Sequence, residues 1–233
     1  PNKPKKKKIL LLCDDIRVHS GIATMAKEFV IGTAHLYDWV QIGAAVKHPE
    51  EGKVFDVSDE VNKEAGITDS YVKIYACSGY GNAQILGQVM NMERPDAILH
   101  FTDPRFWQWL YQIEHEIRQL VPIMYYNIWD DLPYPFWNEP FYESCDLIMN
   151  ISRQTNKFPK PDWAVQWVPH GVNEKKYFPI TALHEQSSEY ENFKRDFHSK
   201  HPHKFLVFWN NRNIRRKQPG DVILAFKDFC DKL

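Results

Sequence analysis

The 233-residue sequence has no cysteine pair at a metal-binding or redox spacing. Cys13, Cys77, Cys145 and Cys230 lie far apart, and none belongs to a C-x-x-C. That disfavours a thiolate zinc site and a disulfide framework, and points to a reducing, cytoplasmic compartment. A long apolar run is also missing. The apolar stretch 9–12, after the lysines at 5–8, is too short for a membrane span or a signal-peptide core, so no transmembrane segment is expected. There is no excess of either charge: 29 basic and 30 acidic residues give a formal net charge of -1. A chain drawn to nucleic acid by long-range attraction usually carries a clear basic surplus, so no strong case for nucleic acid arises. No repeat of fixed period and no low-complexity tract occurs beyond the four lysines, which solvate the approach to a strand. No D-x-D run stands where it would hold a metal, so no metal site is expected.

What the chain does contain is an alternation of two periodicities. Residues 9–13 form an apolar strand, and after Ser20-Gly21 the residues Ile22, Met25, Ala26, Phe29, Val30 and Thr33 recur at helical spacing. Strands are expected at 38–46, 54–57, 71–76, 97–101, 123–128, 147–151 and 164–168. Between them, helices are expected from a Ser58 cap to about Gly66, over 82–92 and stopped before Pro95, over 106–120, and after a Ser152 cap. Repeated βα units of this length argue for an α/β chain with a Rossmann-like parallel sheet and helices on both faces, the doubly wound class. This domain spans 1–173. A polar connection with one surface helix over 187–198 occupies 174–204, and 205–233 reads as the opening βα unit of a second Rossmann-like domain, incomplete as it stands.

That second unit carries a specific pattern. The apolar segment from Phe205 runs into Trp209-Asn-Asn-Arg212 and on to Lys217 just before a helix. Exposed N–H groups, the helix dipole and two fixed cations would act together on one diphosphate.

Three motifs, Ser20-Gly21-Ile22-Ala23 after the first strand, Trp167-Val-Pro-His-Gly-Val-Asn173, and Asn211-Arg212 with Lys217, resemble in order and distance those of the retaining nucleotide-sugar glycosyltransferases of family four. The resemblance implies the two-domain GT-B fold, with this chain covering the acceptor-side domain and the start of the donor domain. It implies transfer of a sugar from a nucleotide-diphosphate donor to an acceptor hydroxyl, with retention and with no cofactor beyond the donor as co-substrate. By the same resemblance Arg212 and Lys217 neutralise the departing diphosphate, while Ser20 and Gly21 let the backbone approach it from the other domain. The partners implied are a nucleotide sugar and a glycan or other hydroxyl acceptor.

The chain departs from the family pattern at three places, one of them Pro219-Gly220, which follows Lys217 with one residue between where the family often has glycine directly. Asn211 stands where glycine usually precedes the arginine. In His100-Phe-Thr-Asp103-Pro104, which resembles the strand end that often presents a histidine to the donor sugar, Thr102 takes that histidine's place. His100, Thr102 and Asp103 are the catalytic candidates. For His100 a core histidine is the competing reading, and Asp103 at the strand's carboxyl end is the better placed to meet sugar hydroxyls. The segment Trp129-Asp130-Asp131-Leu-Pro-Tyr134-Pro-Phe-Trp137 joins adjacent carboxylates to four rings, a combination suited to holding an acceptor sugar. The alternative is that its rings merely pin a loop. Adjacent aspartates diverge, which disfavours a glycosidase pair. Two other functions stay open: a non-catalytic module that recognises a glycan or a partner, and a phage-type enzyme that glycosylates DNA bases.

Overall fold

A computed structural model describes residues 5–129, 131–157, 162–181, 185–202, 206–211 and 213–232. The chain divides into two compact units, Pro1–Glu174 and Lys175–Leu233.

The first unit is built on one eight-stranded sheet. Its strands are β1 (Lys7–Asp14), β2 (Tyr37–Ala45), β3 (Val54–Asp56), β4 (Val72–Ser78), β5 (Ala97–His100), β6 (Ile123–Asn127), β7 (Leu147–Asn150) and β8 (Val165–Trp167). They lie in the order β3-β4-β2-β1-β5-β6-β7-β8, all parallel except the edge strand β3, which pairs antiparallel with β4. This is the expected Rossmann-like architecture. Because β1 has β2 on one side and β5 on the other, the strand order reverses between β1 and β5, and the crevice beyond their carboxyl ends is where open α/β sheets bind ligands.

Burial on both faces explains the near-continuous apolar runs. In β1, Ile9, Leu11 and Cys13 join one cluster with Trp39, Ile74, Leu99 and Tyr126, under α1 (Gly21–Thr33) and α2 (Ser58–Ala65). Leu10 and Leu12 belong to the other, with Ile42, Ile98, Ile123 and Leu86 of α3 (Ala83–Glu93). Each such side chain contributes about 1.5–3 kcal/mol by leaving water. The lysines that lead into β1 are ion-paired: Lys6 with Asp69, Lys7 with Asp96 and Lys8 with Glu93. Glu93 is buried, and it also accepts hydrogen bonds from the hydroxyls of Tyr71 at 2.8 Å and Tyr75 at 2.7 Å.

Three local expectations are corrected. The single helix over 106–120 is instead a 3₁₀ turn (Pro104–Trp107) followed by α4 (Gln108–Gln112) and α5 (Glu114–Ile117). The core demands of fully buried Trp107 and Leu110 override continuous helical winding, and the chain tightens at Ile113, whose N–H bonds to the Leu110 carbonyl. Ser58 does not cap α2. It is the helix's first residue, and its Oγ accepts from the Val72 N–H, tying the helix to β4. The N–H groups that Ser152 caps, those of Gln154 and Thr155, open only a 3₁₀ turn (Thr155–Lys157) before β8. Another short helix, α6 (Glu139–Glu143), precedes β7.

The second unit contains α7 (Ser187–Lys200), a 3₁₀ turn (Arg215–Lys217) and α8 (Pro219–Cys230). The expected strand is not there: residues 206–211 form none, and Phe205 lies outside the described residues. Among the described residues the opening βα unit is thus a helix without a strand, and an extended segment without a neighbour leaves its backbone groups unpaired. Among the described residues, no helix is long and apolar enough to cross a membrane.

Candidate functional site

The carboxyl edge of the first unit's sheet gathers most of the polar chemistry. At the end of β1, Ser20 takes an extended conformation and caps α1, its Oγ accepting from the Ala23 N–H at 3.0 Å and donating to Asp14 Oδ2 at 2.6 Å. One hydroxyl therefore ties the strand end to the helix start. A Cβ added to Gly21 would meet nothing within 4 Å, so the fold does not require glycine there, and the helix start faces open space.

Asp15, the next residue after β1, is fully enclosed. Its carboxylate accepts from Arg17 through the backbone N–H at 2.9 Å, Nε at 3.1 Å and Nη2 at 2.8 Å, and pairs with His48 Nε2 at 2.9 Å. Burial alone would raise this carboxyl, but the bonds from Arg17 and His48 outweigh it and hold it below the usual carboxylate range. His48 Nδ1 accepts from the Glu50 N–H, which turns Nε2 toward Asp15. The neighbouring strand must carry Gly43, since a Cβ there would come 2.9 Å from Asp15 Oδ2. This network fixes the turn that presents α1. Sequence reasoning missed it, although the adjacent Asp14-Asp15 at a strand end, two residues before an arginine, was its visible signal.

At the end of β5, His100 is fully buried. Its Nδ1 bonds to the Tyr111 hydroxyl at 2.7 Å and its ring stacks on Tyr125 at 5.2 Å. Burial lowers its pKa to about 3, so it is neutral. The ring is packed as a core histidine at the last position of the strand, and its buried Nε2 has no hydrogen-bond partner among the described residues. Thr102 is also buried. Asp103 is half-buried and reaches the rim, where it accepts from the Arg105 N–H at 3.0 Å and pairs with the Arg105 guanidinium at 2.5 Å. Burial opposes the ionised form here, but the Arg105 bonds prevail and lower the Asp103 carboxyl. Beside it the rings of Tyr80 and Phe106 stack at 4.8 Å, and the Trp109 indole donates to the Tyr80 carbonyl.

Beyond β6, Trp129 meets the Trp137 ring edge-on at 6.1 Å, and Phe136 packs on Trp137 at 5.2 Å. Trp137 is 52% exposed and Phe136 67%, so this cluster opens to solvent. Tyr134 is hydrogen-bonded to Glu139, and exposed Asp131 accepts from the Leu132 N–H. Asp130 lies outside the described residues. The last residues of β6 and β7, Asn127 and Asn150, share an amide hydrogen bond at 2.8 Å, and the buried Asn150 Nδ2 has no protein partner among the described residues. After β8, His170 stacks on Tyr126 at 5.6 Å, and Asn173 donates to both carboxylate oxygens of Glu28 on α1.

In the second unit Lys217 closes the 3₁₀ turn that precedes α8, whose amino end has no side-chain cap. Arg212 lies outside the described residues. Along the sheet edge stand Ser20 and Gly21 after β1 and His100, Thr102 and Asp103 at the end of β5, with Trp129, Asp131, Tyr134 and Trp137 on the loop after β6. Among the described residues, no group of three His, Cys, Asp or Glu side chains is placed to hold a metal ion. A cavity of about 450 Å³ lies elsewhere, over the sheet face beside α1. Its walls are mostly apolar, with Ile9, Phe29, Leu99, Met124 and Met149, and Lys7, Thr33 and Asp96 also line it. No protein-family model matches this sequence, and no curated protein matches it.

Proposed function

We propose that this chain is the acceptor-side part of a cytoplasmic GT-B glycosyltransferase of family four, moving a sugar from a nucleotide-diphosphate donor to an acceptor hydroxyl with retention. The observation that carries this reading is the composition of the edge where the strand order reverses. There an unobstructed helix start at Ser20-Gly21, suited to an anion, shares one sheet edge with a rim carboxylate, Asp103, and a solvent-open aromatic loop. Phosphate on one side and a sugar ring on the other is the pair of ligands such an edge suits. Asp103 then meets sugar hydroxyls, His100 packs in the core at the end of its strand, and no metal or organic cofactor is called for.

Two observations weigh against the DNA-base reading. Three of the four amino-terminal lysines are already paired with carboxylates, and the net charge is close to zero. A phosphate-binding face needs unpaired cations.

The test is turnover in the natural protein, supplied with uridine, guanosine and adenosine diphosphohexoses. Arg212→Ala or Lys217→Ala should cost on the order of 2–4 kcal/mol of transition-state stabilisation, mostly in kcat, because negative charge builds on the leaving diphosphate. Unchanged turnover at saturating donor would remove the diphosphate role. Absence of transfer from every donor would leave the non-catalytic module.

A further inference from the structure

The loop between β4 and α3 is shaped to deliver one ring. Gly79 and Gly81 take φ of +66° and +72°, values that side chains rarely adopt, and they bracket Tyr80. The turn bends toward α4, where the Trp109 indole binds the Tyr80 carbonyl at 3.1 Å and a Cβ on Gly81 would sit 3.6 Å from both Ile42 and Trp109. Tyr80 is thereby held against Trp107 edge-on at 6.0 Å and lies parallel to Phe106, with an interplanar angle of 6°.

Phe106 has the opposite character. It is 52% exposed, although it sits on the turn capped by Asp103 and its neighbour Trp107 is fully buried. A scattered exposed phenylalanine needs no explanation. This one lies flat on a second ring that is itself anchored by two glycines, an indole hydrogen bond and a core tryptophan. The result is a rigid ring with one face against protein and the other toward water. A carboxylate is near in the chain: Asp103 caps the turn that carries Phe106. A fixed ring beside a carboxylate and a phenol offers C–H stacking and hydroxyl recognition at one spot, the chemistry of a pyranose.

The Trp129–Trp137 cluster stands on the loop after β6. Tyr80 follows β4, with β2, β1 and β5 between that strand and β6, so at about 4.8 Å per strand the two platforms are rooted on the order of 19 Å apart along the edge, a span of several sugar rings.

We propose that the Tyr80–Phe106 stack is a second saccharide-binding subsite, so that the acceptor is an oligosaccharide spanning two aromatic platforms and not a single sugar. This rests on the acceptor reading of the same sheet edge. Phe106 supplies the stacking face, Tyr80 the base that holds it, and Asp103 a hydrogen-bond acceptor for ring hydroxyls.

The experiment is an NMR titration of the 233-residue chain, its Phe106→Ala, Phe106→Tyr and Trp137→Ala variants, with maltotriose, cellotriose, chitotriose and methyl glucosides. Because Phe106 is half-exposed, its replacement should leave the thermal midpoint in place, and that is checked alongside. The proposal expects a trisaccharide to bind, Phe106→Ala to weaken it about tenfold, Phe106→Tyr to restore it, and Trp137→Ala to weaken it as well. If Trp137→Ala loses binding while Phe106→Ala keeps it, the second subsite is overturned and the acceptor reading survives. If only the methyl glucosides bind, the oligosaccharide claim fails. If no saccharide binds, the acceptor reading falls with it.

Discussion

The two units of this chain both contain many apolar side chains and use them in opposite ways. In Pro1–Glu174 the apolar residues of β1, β2 and β5 are enclosed on both faces of the sheet. Among the described residues of Lys175–Leu233 none is buried, and Phe193, Ile223, Leu224, Phe226 and Phe229 are exposed. The difference is one of neighbours. A parallel strand is stable only with pairing on its edges and helices over its faces, whereas two helices and an unpaired extended segment cannot enclose their own apolar groups. Local pattern proposes an element, and tertiary burial decides whether it contributes stability.

The largest effect that would sharpen this contrast is a matched pair of truncations. Trp107→Ala in the first unit should cost about 3–5 kcal/mol, as loss of a fully buried aromatic does. Phe226→Ala in the second should stay within about 0.5 kcal/mol. Chemical denaturation measures both, and comparable losses would break the comparison.

Acid provides the next test. His100 has a folded pKa of about 3 against an ordinary value near 6.5, because burial disfavours its charged form. Well above pH 6.5 the ring is neutral in both the folded and the unfolded chain. Between there and pH 3 the unfolded chain takes up a proton that the folded chain refuses, so stability falls as pH falls, by on the order of 3–5 kcal/mol in total. Asp15 and Glu93, both held below the usual carboxylate range, add to the loss at the lower end of that window. The acid-side slope should shrink in His100→Phe. An identical slope in that variant would place the histidine outside the core.

A smaller effect concerns the helix start at the reversal of strand order. Ser20→Ala removes the cap on α1 and the link to Asp14, and should cost about 1 kcal/mol in thermal unfolding. A neutral result would mean that Asp14 or water replaces the cap.

Most of the sheet was legible because its signal is redundant. Each of β1, β2, β5, β6 and β7 is a short apolar run between polar turns, and burial on both faces makes such runs dense. The helix start after Ser20-Gly21 and the stop before Pro95 were legible because both act within one turn of backbone. What escaped was non-local. The break at Ile113 depends on how Trp107 and Leu110 seat in the core, and the role of Ser58 depends on Val72, fourteen residues away. The Asp15–Arg17–His48 network joins residues from two loops that only the sheet brings together. The missing strand at 206–211 has the right local pattern and no partner. At the candidate site, the residue types of the 129–137 loop were visible, while its openness was not, since exposure of Trp137 is a property of the fold around it.

That loop carries the most direct test of the account. Its central claim is that the carboxyl edge of the first unit recognises an acceptor. Trp137→Ala in the natural protein separates recognition from packing through two readings, the acceptor KM and the thermal midpoint. Trp137 is 52% exposed, so the account predicts a stability change within about 0.5 kcal/mol together with a raised acceptor KM and unchanged donor hydrolysis. A loss of about 3–5 kcal/mol with KM unaltered would show that the rings only pin the loop, and would contradict the claim.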